Sequence, residues 1–134
     1  MTVFADSSQL YAAADALFAR MLQEHPQAIK PLYRSRLVAR MKTWAPTGEL
    51  LVNAHHNPLQ TTFGPSTAKA EIEIELAADD LHRILLGELK MTKALGRGAI
   101  TLRGPVFKAA PLAALFRRGQ DIYPLVLQEL GIQY

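Results

Sequence analysis

The side chains best suited to chemistry are the 4 histidines, and their spacing argues against a shared site. His55 and His56 are neighbours, and neighbouring residues of a strand point to opposite faces of a sheet. The chain has no His-x-His or HExxH spacing, which are typical of zinc sites. His82 follows Asp80 in a segment predicted to be helical, where a solvated histidine is the ordinary case. We therefore expect no metal ion.

The parts of a covalent mechanism are also missing. Without cysteine, a thiol nucleophile, a disulfide and thiolate metal ligands are excluded. No Gly-x-Ser-x-Gly elbow is present to activate a serine. Gly96-Arg97-Gly98 is a fragment of a dinucleotide fingerprint, but it precedes a predicted strand instead of opening a helix. The sequence predicts a protein that is not an enzyme and uses no cofactor. A small hydrolase that uses a histidine is the remote alternative.

The charge pattern does not favour nucleic acid, although the net charge is +3. A basic set falls close together in the sequence: Lys30, Arg34, Arg36, Arg40 and Lys42. A later segment carries Glu71, Glu73 and Glu75 at alternate positions, so the two sets can pair across neighbouring strands on a solvated sheet face. No nucleic-acid motif accompanies the basic residues.

Composition and length fit one domain over residues 1–134, with 49% hydrophobic and 20% charged residues. No apolar run approaches the roughly 18 residues of a membrane span, and the first residues do not resemble a signal peptide. The last four residues are not a peroxisomal address of the Ser-Lys-Leu type. We expect a cytoplasmic protein.

Helical spacing predicts a first helix from Ser7 or Ser8 to His25, capped by serine and ended by Pro26, and a shorter helix around Gln27 to Tyr33. A third helix is predicted from Asp79 to Gly87. The closing segment, Val106 to Leu130, is helical in character but broken by prolines and a glycine into two or three pieces: Pro111, Gly119 and Pro124 are the breaks.

Alternating apolar and polar residues predict the strands. The clearest case has Ile72, Ile74 and Leu76 on one face and three glutamates on the other. The predicted strands are Arg36 to Trp44, Glu49 to Ala54, Leu59 to Phe63, Lys69 to Leu76 and Ala99 to Arg103, with a loop containing Gly96 and Gly98 before the last. The order predicts an α+β fold, with a mainly antiparallel five-stranded sheet covered on one face by helices.

The stretch from Leu76 to Phe116 resembles the sterol carrier protein type 2 (SCP2) family. The matching features are an acid-capped helix start, a Gly-x-Leu, an Ala-x-x-x-Gly loop and a short strand that ends in glycine: Asp79-Asp80-Leu81, Gly87-Glu88-Leu89, Ala94 to Gly98 and Ile100 to Gly104. Many members have an acid after that last glycine, whereas this chain has Pro105, so its closing helix must start later or kink.

The resemblance implies that sheet and helices enclose an apolar tunnel, which would bind a lipid or acyl chain such as a fatty acid, acyl-CoA, sterol or isoprenoid. The candidate ligand-binding residues are Ile84, Leu85, Phe107, Leu112, Leu115, Phe116, Tyr123, Val126 and Leu127. Arg97 is the candidate for a carboxylate or phosphate head group.

The alternative is an accessory module for a lipid-modifying enzyme, with a cavity filled by its own side chains; aromatics such as Trp44, Phe107 and Phe116 in the tunnel would favour it. Transient contact with a membrane surface and the oligomeric state stay open.

Overall fold

The computed structural model describes residues 2–134, in which helices flank a strand-rich middle. The helices are α1 Ser7–Glu24, α2 Pro26–Ser35, α3 Ala78–Leu85, α4 Met91–Gly96, α5 Ala110–Gly119 and α6 Tyr123–Glu129, with a 3₁₀ turn at Val106–Ala109. The strands are β1 Val38–Trp44, β2 Gly48–Asn53, β3 Gln60–Phe63, β4 Ile72–Ala77 and β5 Ile100–Arg103. The predicted α+β class is confirmed.

The first helix ends just before Pro26, as the sequence indicated, with His25 between α1 and α2. Pro26 cannot donate within α1 and instead starts α2, a position where its missing N–H costs nothing. The predicted serine cap of α1 is wrong. Asp6, one residue earlier, accepts a hydrogen bond from the Gln9 amide at 2.9 Å, because its carboxylate reaches the free N–H groups of the first turn.

The five strands form one sheet in the order β3-β2-β1-β4-β5. Three neighbouring pairs are antiparallel, which confirms the mainly antiparallel prediction, and β1 pairs with β4 in parallel, with Met41 beside Ile74. On β4, Ile72, Ile74 and Leu76 are almost fully buried beneath the helices, as their alternation predicts. Because β1 and β4 run the same way, both strands begin at the same end of the sheet.

The opposite face of the sheet carries a buried arginine. Arg40 Nη1 donates to Glu73 Oε1 at 3.0 Å, and Nη2 donates to the carbonyl oxygens of Ser66 and Ala68. Arg40 Nε lies 3.4 Å from Glu49 Oε2, close enough for an ion pair but without a hydrogen bond. The predicted pairing of basic and acidic strands therefore exists at Arg40, where it also fastens the segment that precedes β4.

In the C-terminal half, one helix was not predicted, and the bounds of the closing helices are now defined. The loop predicted around Gly96 contains α4, a single short helix that buries Ala94; it lacks the repeated apolar spacing that reveals longer helices. The closing segment is divided as predicted, into the 3₁₀ turn, α5 and α6. Its first helix starts only at Ala110, after Pro105, as the departure from the SCP2 pattern indicated.

Candidate functional site

An apolar cavity lies between the inner face of the sheet and the helices that cover it. From α1, Leu10, Leu17 and Met21 contribute to the wall, because their spacing of seven and four residues keeps them on one side of the helix. The central strands contribute Met41, Val52 and Ile74, and α5 contributes Leu112, Leu115 and Phe116. The wall therefore combines residues from three parts of the chain: α1, the central strands and α5.

The cavity is narrow. Its volume is about 50 Å³, enough for a few water-sized groups at about 10–15 Å³ each. Sites that enclose drug-sized ligands have about 300–1,000 Å³. A long apolar chain therefore fits this cavity only if the wall moves outward.

Five of the nine candidate residues lie together at this cavity: Leu85, Leu112, Leu115, Phe116 and Tyr123. Their contact with a ligand stays a prediction. The other four are not among the residues that line this cavity, and their contact with a ligand also stays a prediction. Ile84, Val126 and Leu127 are buried in the surrounding core. Phe107 is 77% exposed, because it belongs to the 3₁₀ turn before α5 and not to the helix that covers the cavity.

Arg97 is exposed at the end of α4 and is not among the residues that line the cavity. Its contact with a head group stays a prediction. The filled-cavity alternative named three aromatics, of which Phe116 alone lines the cavity. Trp44 is exposed at the end of β1, and Phe107 is on the surface.

Sequence reasoning missed the contributions of α1, the sheet and the N-terminal segment, including Phe4. The apolar spacing of α1 and the alternation in β4 predicted that these residues are buried. Burial alone does not separate a wall residue from a core residue, because that depends on how the helices pack over the sheet. Gly119 ends α5, as its predicted role as a helix breaker requires, and its missing side chain also leaves space at the cavity wall, which the sequence did not indicate.

Tyr123, a residue of the wall, carries a polar group that is turned away from the cavity. The ring of Tyr123 borders the cavity while its hydroxyl lies 2.7 Å from His82 Nδ1. His82 is 5% exposed, so the expectation of a solvated histidine is wrong: its ring also packs edge-on against Phe4 and Tyr134. Burial lowers the pKa of His82 and raises the pKa of Tyr123, so both groups are held neutral. The pair keeps a hydroxyl out of the apolar space.

Across residues 2–134, no cluster of three or more His, Asp or Glu side chains is placed to hold a metal ion. No helix in the same range is both long and apolar enough to span a membrane.

Comparisons with known proteins identify the fold. No protein-family model and no curated protein matches the sequence. Among solved structures, sterol carrier protein domain 2 of Helicoverpa armigera has a TM-score of 0.68 at 20% identity, covering 87% of this chain and 90% of that one. Apo sterol carrier protein 2 from Yarrowia lipolytica has a TM-score of 0.63 at 15% identity, covering 86% and 92%.

A third neighbour, palmitated SCP2L2 from Aedes aegypti, has a TM-score of 0.55 at 21% identity and covers 78% of this chain and 91% of that one. The likeness extends over most of this chain and nearly the whole of each neighbour. The chain therefore has the SCP2 fold, which confirms at the level of the fold the resemblance that its sequence shows.

Proposed function

We propose that this protein binds the apolar chain of a lipid, such as a fatty acyl chain, in the cavity between α1, the sheet and α5, and does not transform it. The observation that supports this proposal is an apolar-walled cavity in an SCP2 fold, with the single tyrosine of its wall bonded to a buried histidine. Such a wall suits a hydrocarbon chain and offers no polar group for chemistry on it.

The cavity must widen to admit a chain, and its cover is suited to move. The helices α5 and α6 have 10 and 7 residues, and each has a proline in its first turn. Short helices open locally at lower free energy than a central sheet does. A ligand that binds the widened form better than the narrow form would shift the protein towards it.

Displacement of a fluorescent long-chain fatty acid tests this function. Binding should saturate, and unlabelled fatty acids should compete. The variant Gly119→Leu places a side chain into the wall and should weaken binding at least about tenfold, equivalent to about 1.4 kcal/mol. Gly96→Leu is the matched control, since Gly96 also ends a helix but has nothing within 4 Å of its missing side chain.

Both variants should first be shown to fold, by circular dichroism and thermal melting. Equal affinity in a folded Gly119→Leu variant would mean that the chain binds elsewhere. Absence of saturable binding by the parent protein, over a range of chain lengths, would contradict the proposed function.

The small volume favours a second candidate, an accessory module whose cavity is filled by its own side chains. In that case the fold would serve as a scaffold for a partner protein, and Phe18 and Phe116 would be permanent filling. Native mass spectrometry of freshly purified protein separates the two candidates. A co-purified lipid mass supports the carrier, whereas an empty protein that also takes up no added fatty acid supports the module.

A further inference from the structure

The most exposed large apolar side chains in residues 2–134 are neighbours in sequence. Val106 is 69% exposed and Phe107 is 77% exposed. Both belong to the 3₁₀ turn that leads into α5, and Pro105 and Ala110 beside them are exposed as well. A single exposed apolar residue is ordinary, but an adjacent aromatic and branched aliphatic pair on a projecting turn offers a surface that water does not favour.

The turn lies at the end of the sheet where β1 and β4 begin. Lys108, within the turn, forms an ion pair with Glu71, the residue before β4. The Glu71 amide in turn donates to the carbonyl of Val38 at the start of β1, at 2.8 Å. Gly104 has φ +110 and packs against the backbone of Glu71, which no side chain would permit. These contacts fix the position of the exposed pair.

This end of the molecule has an excess of unpaired positive charge. Arg36 precedes Val38 by two residues, Lys69 precedes Glu71 by two, and Arg103 ends β5 just before the turn; all three side chains are exposed. In residues 2–134, none of the three has a carboxylate within 4.0 Å. The nearby acids are already engaged, Glu71 by Lys108 and Glu73 by Arg40.

We propose that this surface, defined by Val106, Phe107, Arg36, Lys69 and Arg103, docks on the face of a membrane that contains anionic lipids. The apolar pair would enter the boundary between head groups and acyl chains, while the three cations would contact lipid phosphates and carboxylates. A membrane needs no shape-matched groove, which suits a projecting turn. Docking does not depend on the proposed function, since it requires no occupied cavity.

Docking through this turn would also bring the cavity close to the membrane. The turn continues directly into α5, whose Leu112 and Leu115 line the cavity. A docked protein would therefore hold its movable wall next to the bilayer. A chain leaving the membrane would reach the cavity with little exposure to water.

Vesicle co-sedimentation of the full chain tests the docking surface. The protein should sediment with vesicles of phosphatidylcholine and phosphatidylserine, and less with phosphatidylcholine alone or at high salt. The double variant Val106→Ser with Phe107→Ser should reduce binding at least about tenfold. Leu125→Ser is the matched control, because Leu125 is a 47% exposed apolar residue on α6, outside this surface.

A separate variant tests the contribution of the basic residues to membrane binding. Arg103→Glu should reduce binding to the anionic vesicles by more than about fivefold, since each basic residue near such a surface contributes about that factor. Lys93→Glu is the control, an exposed lysine on α4 without an ion pair among residues 2–134.

Fatty-acid displacement by each variant, measured without vesicles, should match that of the parent, so a failure of docking is distinguishable from a failure of chain binding. No sedimentation of the parent, or equal sedimentation of the double variant and Leu125→Ser, would overturn the proposal and leave this surface to a protein partner.

Discussion

Filling the cavity with one methyl group should stabilise the protein. Gly119 is the last residue of α5, and its φ lies outside the left-handed region. A Cβ placed there would lie 3.8 Å from three methyl carbons, two of Leu17 and one of Leu85, which is ordinary van der Waals contact. Gly119→Ala therefore adds apolar contact without a clash.

The gain in the free energy of unfolding expected from Gly119→Ala has two parts. Replacing glycine by alanine in a helix contributes up to about 1 kcal/mol, and burying one methyl group contributes about 0.8 kcal/mol. We expect a gain of about 1.5 kcal/mol in the free energy of unfolding, or a rise of about 5 °C in Tm for a domain of this size. Gly96→Ala isolates the backbone part, because Gly96 also ends a helix and has open space around it.

Urea titration and thermal melting of the parent and both variants provide the comparison. Gly119→Ala should exceed Gly96→Ala by about 0.8 kcal/mol, the methyl contribution alone. Equal gains in the free energy of unfolding for the two variants would show that the methyl group at Gly119 contacts no apolar wall. A lower Tm for Gly119→Ala would show that α5 is already in tight contact with α1 and α3, and the cavity would then offer no room for a ligand at this point.

Two further predictions concern groups at or near the cavity. Burial lowers the pKa of His82, so its contribution to stability is complete above its unfolded pKa of about 6.5 and is lost as the pH falls towards the folded pKa. Urea midpoints between pH 7.5 and 5 should therefore fall less steeply for His82→Gln than for the parent, and parallel curves would contradict this. Ile74→Asp should unfold the domain, since an unpaired buried charge costs several kcal/mol. Glu75→Lys, on the outer face without an ion pair among residues 2–134, should change the free energy of unfolding by less than about 1 kcal/mol, and similar losses for both would refute the facing of β4.

The parts of the fold that the sequence predicted are those with a repeated local signal. β4 alternates over its whole length, and α1 repeats its apolar positions through 18 residues. The helix α4 was missed because its 6 residues, fewer than two turns, provide no repeat. The parallel pairing of β1 with β4 was not predicted either, since strand patterns report which face is buried and not which strands are neighbours.

The cavity was less predictable than the fold for the same reason. Leu112, Leu115 and Phe116 line the cavity because they lie in a helix that covers the sheet, as the family resemblance indicated, and their contact with a ligand stays a prediction. Phe107 lies on the surface because one proline delays the start of that helix. The buried His82 was missed because the aromatic rings that surround it come from both ends of the chain.

The parallel pair at the centre of the sheet also determines the order in which the molecule can assemble. β1 and β2 are joined by the short turn Ala45–Thr47, so their hairpin closes a small loop and can form early. β4 must instead return past β2 and β3 to lie beside β1, which closes a much larger loop at a greater loss of chain entropy. Docking of β4 is therefore the expected slow step in folding, and it is also the step that brings Ile74 to Met41 and completes the floor of the cavity. The cavity is complete only after this pairing and after α5 has packed over the sheet, so a nascent chain that stalls before β4 would present a folded hairpin without the cavity.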